Sequence, residues 1–112
     1  MTKIHFDHFV DPDPSGKADI RDELVLAHRH CAAHRSEVLE SASCGCFSCC
    51  AVFPPSEISK WFEETGGALS ERPDPWTAEC PRCGIDAVIG TASGFPVDQP
   101  EFLQAMNARW FR

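Results

Sequence analysis

Four of the seven cysteines form two Cys-x-x-Cys pairs, Cys46/Cys49 and Cys80/Cys83. The turn within such a pair directs both sulfurs towards one point, so two turns together can supply four thiolates. Four thiolates in a tetrahedron are the ligand set of a structural zinc ion, and they leave no coordination position open for catalysis. We therefore predict a zinc site with the ligands Cys46, Cys49, Cys80 and Cys83.

Residues next to the two cysteine pairs affect the choice of zinc ligands. Cys44 and Cys50 flank the first pair, and either could replace Cys46 as a ligand. The spacing of Cys46 and Cys49 favours those two. Gly84 follows the second pair and can adopt the positive φ that turns backbone N–H groups towards the sulfurs.

The sequence also allows a second metal site. Apolar residues spaced four and three apart predict one long helix over residues 19–41, with Cys31 and His34 on its inner face. Residues three apart on one helix face can bind the same ion, and the chain returns close by at Cys44. The hypothesis is a second site formed by Cys31, His34 and Cys44. The alternative is a buried thiol and a hydrogen-bonded core histidine.

Three functions are compatible with these residues. The favoured one is a zinc-stabilised interaction or ligand-binding module. The second is a metal-dependent enzyme that uses Cys31, His34 and Cys44, with Asp86 after the second pair as base or supporting partner. The third is a redox sensor that releases zinc when its thiols are oxidised. The chain contains no Gly-rich phosphate loop, no His-Glu-x-x-His motif and no deaminase pattern, so enzymatic activity is left open with no catalytic residue assigned.

Charge and composition limit the partners and the location. The 112 residues carry a net charge of −7, with 17 acidic and 10 basic side chains. Nucleic-acid-binding proteins usually present a basic face, so a protein or small molecule is the favoured partner. No apolar run reaches the roughly 18 residues of a membrane helix, and the N-terminus lacks the signal-peptide pattern. We expect a cytoplasmic location, where paired cysteines are more often metal ligands than disulfides.

The predicted organisation is an N-terminal arm over residues 1–18 and a single zinc-stabilised domain over residues 19–112. The first Cys-x-x-Cys pair leads into a strand at residues 51–53, and the second lies inside a hairpin over residues 76–90. The fold class is a small α+β, zinc-ribbon-like domain with a short antiparallel sheet and about three helices. The predicted helices cover residues 19–41, 56–65 and 99–110.

Several motifs in fixed order resemble those of a known family. They are Cys44-Gly-Cys-Phe-Ser-Cys49, Phe53-Pro-Pro-Ser-Glu-Ile58, Cys80-Pro-Arg-Cys-Gly-Ile-Asp-Ala-Val-Ile-Gly90 and Ser93-Gly-Phe-Pro96. With them the chain resembles, from about residue 28 to its end, a family of small, mostly uncharacterised bacterial cytoplasmic proteins. The resemblance implies a zinc-binding cytoplasmic protein without an assigned reaction, and it agrees with the four predicted cysteine ligands.

Overall fold

The computed structural model describes residues 22–111, so the predicted arm over residues 1–18 lies outside the described residues. This part of the chain contains three α-helices and two small antiparallel sheets, which confirms the predicted α+β class. The helices are α1 (Glu23–His28), α2 (Arg35–Leu39) and α3 (Pro100–Phe111). The strands are β1 (Cys44–Cys46), β2 (Val52–Phe53), β3 (Trp61–Glu63), β4 (Trp76–Ala78) and β5 (Val88–Gly90).

The larger sheet has three antiparallel strands in the order β2–β1–β5. Cys44 on the central strand lies opposite Phe53 on one side and Gly90 on the other. The smaller sheet is a ribbon of β3 and β4, in which Trp61 lies opposite Ala78. The first Cys-x-x-Cys turn therefore begins at the end of β1, in one sheet, and the second begins just after β4, in the other.

Helix α3 packs its inner face onto the core. Its predicted position is confirmed, and it begins with a proline, which is well suited to the first turn because no helical hydrogen bond is required of its nitrogen. Leu103 and Met106 lie three residues apart on one face of α3 and are both fully buried. The largest fully buried side chains are Phe47, Phe53, Ile89, Leu103 and Met106.

A glycine allows α3 and the loop that precedes it to approach the central strand. A Cβ atom at Gly45 would overlap the backbone oxygen of Val97 and would lie 2.9 Å from a methyl carbon of Leu103. Both neighbours belong to the packed interior, so neither can move away at low cost. The absence of a side chain at Gly45 thus lets the core pack directly against β1, the strand at whose end the first Cys-x-x-Cys turn begins.

The single helix predicted over residues 19–41 is wrong for the described part. Helix α1 ends at His28 and α2 begins at Arg35, and a non-helical α1–α2 turn, residues 29–34, connects them. Within this turn Ala33 has φ +50°, a left-handed conformation that interrupts a right-handed helix. Cys31 and His34, which the prediction put on one helix face, therefore do not share a helix.

Long-range hydrogen bonds explain the break between α1 and α2. The Ala33 N–H donates to Thr77 Oγ1 at 2.8 Å, and the His34 N–H donates to the Trp76 carbonyl at 2.9 Å. Both partners lie on β4, far away in sequence. Helical periodicity depends only on the spacing of neighbouring residues, so it cannot predict a turn that is stabilised by hydrogen bonds to a distant strand.

Two further local predictions are wrong. The helix predicted over residues 56–65 is replaced by a 3₁₀ turn at Pro55–Glu57 and by strand β3. The spacing of Ile58, Trp61 and Phe62 suits a helix, but pairing with β4 makes this segment extended. The hairpin predicted over residues 76–90 is not formed either, since β4 pairs with β3 and β5 pairs with β1. The second cysteine turn consequently connects two sheets.

Candidate metal centre

The sulfur atoms of the two Cys-x-x-Cys pairs converge. All four Sγ atoms lie within 4.8 Å of one another, and no other group of three or more Cys, His, Asp or Glu residues between positions 22 and 111 does so. The Sγ atoms of Cys46 and Cys83 are 3.7 Å apart, as are those of Cys49 and Cys80. Zinc–sulfur bonds of about 2.3 Å in a tetrahedron place sulfurs about 3.8 Å apart. The cluster therefore has the chemistry and the dimensions to bind a metal such as zinc.

The first knuckle, residues 46–49, is a tight turn closed by two backbone hydrogen bonds. The Cys50 N–H donates to the Cys46 carbonyl at 2.7 Å, and the Cys46 N–H donates to the Ala51 carbonyl at 3.0 Å. The chain can close in this way because Cys50 adopts φ +62°. This geometry brings Cys46 and Cys49 to the same side of the turn.

The second knuckle, residues 80–83, repeats that pattern. The Gly84 N–H donates to the Cys80 carbonyl at 2.9 Å, and the Cys80 N–H donates to the Ile85 carbonyl at 3.0 Å. Gly84 has φ +81°, as expected from the sequence, and it occupies the position that Cys50 occupies in the first knuckle. This match explains the role of Cys50, which supplies the left-handed residue of the turn, whereas Cys46 is the first of the two cysteines whose sulfurs join the cluster.

The sulfurs influence one another's protonation. The hydrogen bond from the Cys46 thiol lowers the pKa of Cys80 to about 5, and backbone N–H groups of the second knuckle add to the effect. One of these groups, the N–H of Arg82, donates to Cys80 Sγ at 3.3 Å. The same hydrogen bond, together with burial, raises the pKa of Cys46. The protonation of these neighbouring thiols is therefore linked, and a bound cation could stabilise their thiolate forms.

The sulfur cluster lies at the boundary between the core and the surface of the protein. Cys46 and Cys80 are buried, whereas Cys49 and Cys83 are exposed. The first knuckle is also attached to α3, because the amide nitrogen Nδ2 of Asn107 donates to the carbonyls of Phe47 and Ser48. Sequence analysis did not identify Asn107, since nothing local to that residue indicates a contact with a turn some 60 residues earlier.

The structure does not bring Cys31, His34 and Cys44 together as a metal-binding group. His34 uses both ring nitrogens elsewhere: Nδ1 donates to the His30 carbonyl at 2.6 Å, and Nε2 accepts from the Ala78 N–H at 3.1 Å. These partners define a neutral imidazole. Burial lowers the pKa of His34 to about 4, in agreement with that state. His34 thus matches the alternative interpretation, a hydrogen-bonded core histidine.

The other residues of the enzymatic hypothesis are buried. Cys31 and Cys44 are both fully enclosed, and burial raises the pKa of each thiol, that of Cys44 to about 11. A protonated buried thiol behaves as a small apolar side chain. Asp86 is fully buried as well and interacts with neighbouring groups. Enclosed in this way, its carboxylate has no open face for a substrate.

The fold and the sulfur cluster define a small α+β protein with a four-cysteine centre that can bind a metal such as zinc. No protein-family model, curated protein or solved structure that was compared with the chain matches it. Among the helices within residues 22–111, none is long and apolar enough to cross a membrane.

Proposed function

We propose that this chain is a cytoplasmic zinc-binding protein whose metal stabilises a module for binding a protein or a small ligand. The observation that carries the proposal is the convergence of four sulfurs on two turns with the same backbone hydrogen bonds. Four thiolates fill the coordination sphere of zinc, so the ion contributes to stability and takes no direct part in a reaction.

Zinc is the metal that this donor set favours. Thiolates are soft ligands, and a tetrahedron of four sulfurs suits zinc or iron, of which zinc undergoes no redox reaction. A chain of 112 residues has a core of limited size, for which a metal crosslink is a common supplement. The two knuckles extend from different sheets, so an ion bound to both would join the sheets.

Charge and sequence motifs support the binding role and the location. The net charge of −7 favours a protein or small-molecule partner over nucleic acid. The motifs around both knuckles are similar to those of small bacterial cytoplasmic proteins, among which we place this chain. A reducing compartment would keep the cysteines available as thiolate ligands.

No observation in the structure specifically favours either of the two alternative functions, the enzyme or the redox sensor. The enzyme hypothesis required a second metal site, but His34 is hydrogen-bonded through both ring nitrogens and Asp86 is fully buried. The redox-sensor hypothesis requires that oxidation release zinc. Mild peroxide treatment followed by measurement of bound zinc tests it, and retention of the metal would exclude that role.

Native mass spectrometry of the full chain tests the zinc proposal. We expect one zinc ion per wild-type chain and none in Cys80→Ala, since three thiolates leave the site incomplete. Cys44→Ala is the matched control: its thiol is buried and lies outside the cluster, so this variant should retain zinc. Retention of zinc by Cys80→Ala would contradict the assignment. Two ions per chain, one of them lost in Cys31→Ala, would restore the second-site hypothesis.

A further inference from the structure

The four-sulfur cluster has a buried edge and an exposed edge, and each knuckle contributes one sulfur to both. Cys46 and Cys80 form the buried edge, with exposed fractions of 0% and 3%. Cys49 and Cys83 form the exposed edge. The two close sulfur contacts, each of 3.7 Å, join a sulfur of the buried edge to one of the exposed edge. The cluster is therefore accessible to solvent from the side of Cys49 and Cys83.

The backbone anchors the buried edge. The N–H and the carbonyl of Cys46 both form the hydrogen bonds that close the first knuckle, and those of Cys80 close the second knuckle in the same way. The sulfur of Cys80 also accepts from the Arg82 N–H at 3.3 Å. Within the described part of the chain, neither Cys49 nor Cys83 forms a backbone–backbone hydrogen bond. The exposed sulfurs thus belong to the less constrained half of each turn.

The second knuckle is the more open of the two. The side-chain amide of Asn107 donates to two carbonyls of the first knuckle, whereas no side chain among the described residues donates to a carbonyl of the second. The residues next to Cys83 in the chain are also exposed, namely Pro81, Arg82 and Gly84. A Cβ at Gly84 would meet nothing within 4 Å. The space beside Cys83 is therefore open to an incoming molecule.

The second knuckle does have one side-chain contact, an ion pair of 3.1 Å between Arg82 and Glu57. Both side chains are solvent-exposed, by 51% and 39%. An exposed ion pair of this kind stabilises a structure little, because water and salt screen it. The pair therefore constrains the second knuckle less than the buried carbonyl contacts of Asn107 constrain the first.

The chemistry of the centre selects the class of molecule that can enter it. A thiolate from outside the chain has the same softness and charge as the cysteine sulfurs, so it can take one of their places at a zinc ion without altering the ligand set. The sulfur that it displaces must then be solvated. A displaced Cys83 thiolate is already at the surface, whereas a displaced Cys46 thiolate would be a buried, unpaired charge.

We propose that the exposed edge takes a sulfur ligand from outside the chain, the thiolate of a small molecule, in exchange for Cys83. The inference rests on the proposed zinc site, to which it adds a ligand class and a route of metal exchange. The incoming sulfur bonds to the metal as the Cys83 sulfur leaves it, and the displaced thiolate takes up the proton that the incoming thiol releases. No electron is transferred, so this exchange requires no oxidant and is distinct from the redox-sensor hypothesis.

The experiment removes the Cys83 sulfur and supplies another from solution. Cobalt(II) replaces zinc as the probe, because its visible absorption reports tetrahedral sulfur coordination, and a phosphine keeps the full chain reduced in place of a thiol. Cys83→Ala should bind cobalt weakly. Mercaptoethanol at about ten times its own dissociation constant should tighten the apparent cobalt affinity about tenfold by mass action. Ethylene glycol, in which a hydroxyl replaces the thiol, should have no effect.

Cys46→Ala is the matched control, because the Cys46 sulfur lies 3.7 Å from that of Cys83 but belongs to the buried edge. Mercaptoethanol should leave the cobalt affinity of this variant unchanged, since the vacated position is enclosed. Equal tightening in both variants, or none in Cys83→Ala, would overturn the proposal.

A second measurement needs no variant and so does not depend on the folding of one. Zinc-loaded wild type is treated with iodoacetamide, from which a cysteine sulfur displaces iodide, and peptide mass spectrometry at low conversion locates the modified cysteines. Cys83 should react several-fold faster than Cys46 or Cys80, and equal rates would overturn the exposed edge. Failure of the wild type to bind cobalt or zinc would reject the metal centre and this proposal with it. Metal binding without thiol rescue would reject the exchange alone.

Discussion

Gly84 and Cys50 occupy equivalent positions in the two knuckles, four residues after the first cysteine of each pair. Both have positive φ, and the N–H of each closes its turn by donating to the carbonyl of that first cysteine. Glycine adopts such a conformation at little cost, whereas any other residue is strained there. The backbone of the first knuckle is therefore more strained than that of the second. The equivalence of Cys50 and Gly84 can be recognised in the sequence by aligning residues 46–50 with residues 80–84.

Gly84→Ala should destabilise the protein through backbone conformation alone. A Cβ at this position would meet nothing within 4 Å, so no steric clash accompanies the strain of φ +81°. We expect the free energy of unfolding to fall by about 1 kcal/mol, measured by chemical denaturation with zinc saturating. Gly67→Ala is the control, because Gly67 has an extended φ of 168° and equally open surroundings. Equal effects of the two substitutions would contradict the assignment of a required left-handed residue.

His34 should make the protein sensitive to mild acid. Burial lowers its folded-state pKa to about 4 from an ordinary value of 6.5, so above pH 6.5 the group is neutral in both states. Between pH 6.5 and 4 the unfolded chain binds a proton that the folded chain excludes. The free energy of unfolding should therefore fall by up to about 3 kcal/mol over this window, from about 1.4 kcal/mol per pKa unit.

Denaturation of wild type and His34→Gln at several pH values between 4 and 6.5 measures this effect. The variant lacks the titrating imidazole, so its stability should decline less steeply with acidity, although it starts from a lower value. Protonation of the clustered cysteines is common to both proteins and cancels in the difference between their slopes. Parallel slopes would show that His34 does not account for the acid sensitivity.

At the level of secondary-structure elements, the contact between α3 and the first knuckle couples the helix to the metal centre. Nδ2 of Asn107 donates to the Phe47 carbonyl at 3.0 Å and to the Ser48 carbonyl at 2.9 Å. Asn107→Ala should lower the free energy of unfolding by about 1–3 kcal/mol, since two carbonyls lose their donor. It should also speed the transfer of zinc to a competing chelator.

Gln104→Ala provides the control for that substitution. Gln104 is exposed on the same helix, so its truncation should alter neither stability nor the rate of zinc transfer appreciably. The two variants are compared by denaturation and by the kinetics of zinc release to a coloured chelator. A loss of stability in Asn107→Ala without faster zinc release would show that the contact with α3 does not affect metal binding.

The sequence predicts those elements whose determinants are local. The spacing within each cysteine pair, the glycine after the second pair and the apolar face of α3 are all readable from neighbouring residues, and the structure contains each of them. The helix predicted across the α1–α2 turn was wrong because Ala33 is held by Thr77 on a distant strand. The helix predicted over residues 56–65 is wrong because only the pairing of β3 with β4 makes this segment extended.

At the scale of the whole molecule, the sulfur cluster is the meeting point of the two sheets. Cys46 ends the central strand of the larger sheet, and Cys80 follows β4 of the ribbon. Each pair alone supplies two thiolates, so a stable four-coordinate site forms only when both sheets are in place. Binding of the metal and assembly of the fold should therefore be a single cooperative process.

Removal of zinc should accordingly unfold the chain. Structural zinc sites contribute about 10–16 kcal/mol of apparent binding free energy, which equals or exceeds the usual 5–15 kcal/mol stability of a domain. With a strong chelator under reducing conditions, we expect loss of the cooperative thermal transition and red-shifted fluorescence of Trp61 and Trp76, which lie on the ribbon. Added zinc should restore both signals. In the presence of zinc, Cys80→Ala should resemble the chelated wild type, and Cys44→Ala should resemble the untreated one. A chelated protein that kept its thermal midpoint would show that the two sheets assemble without the metal.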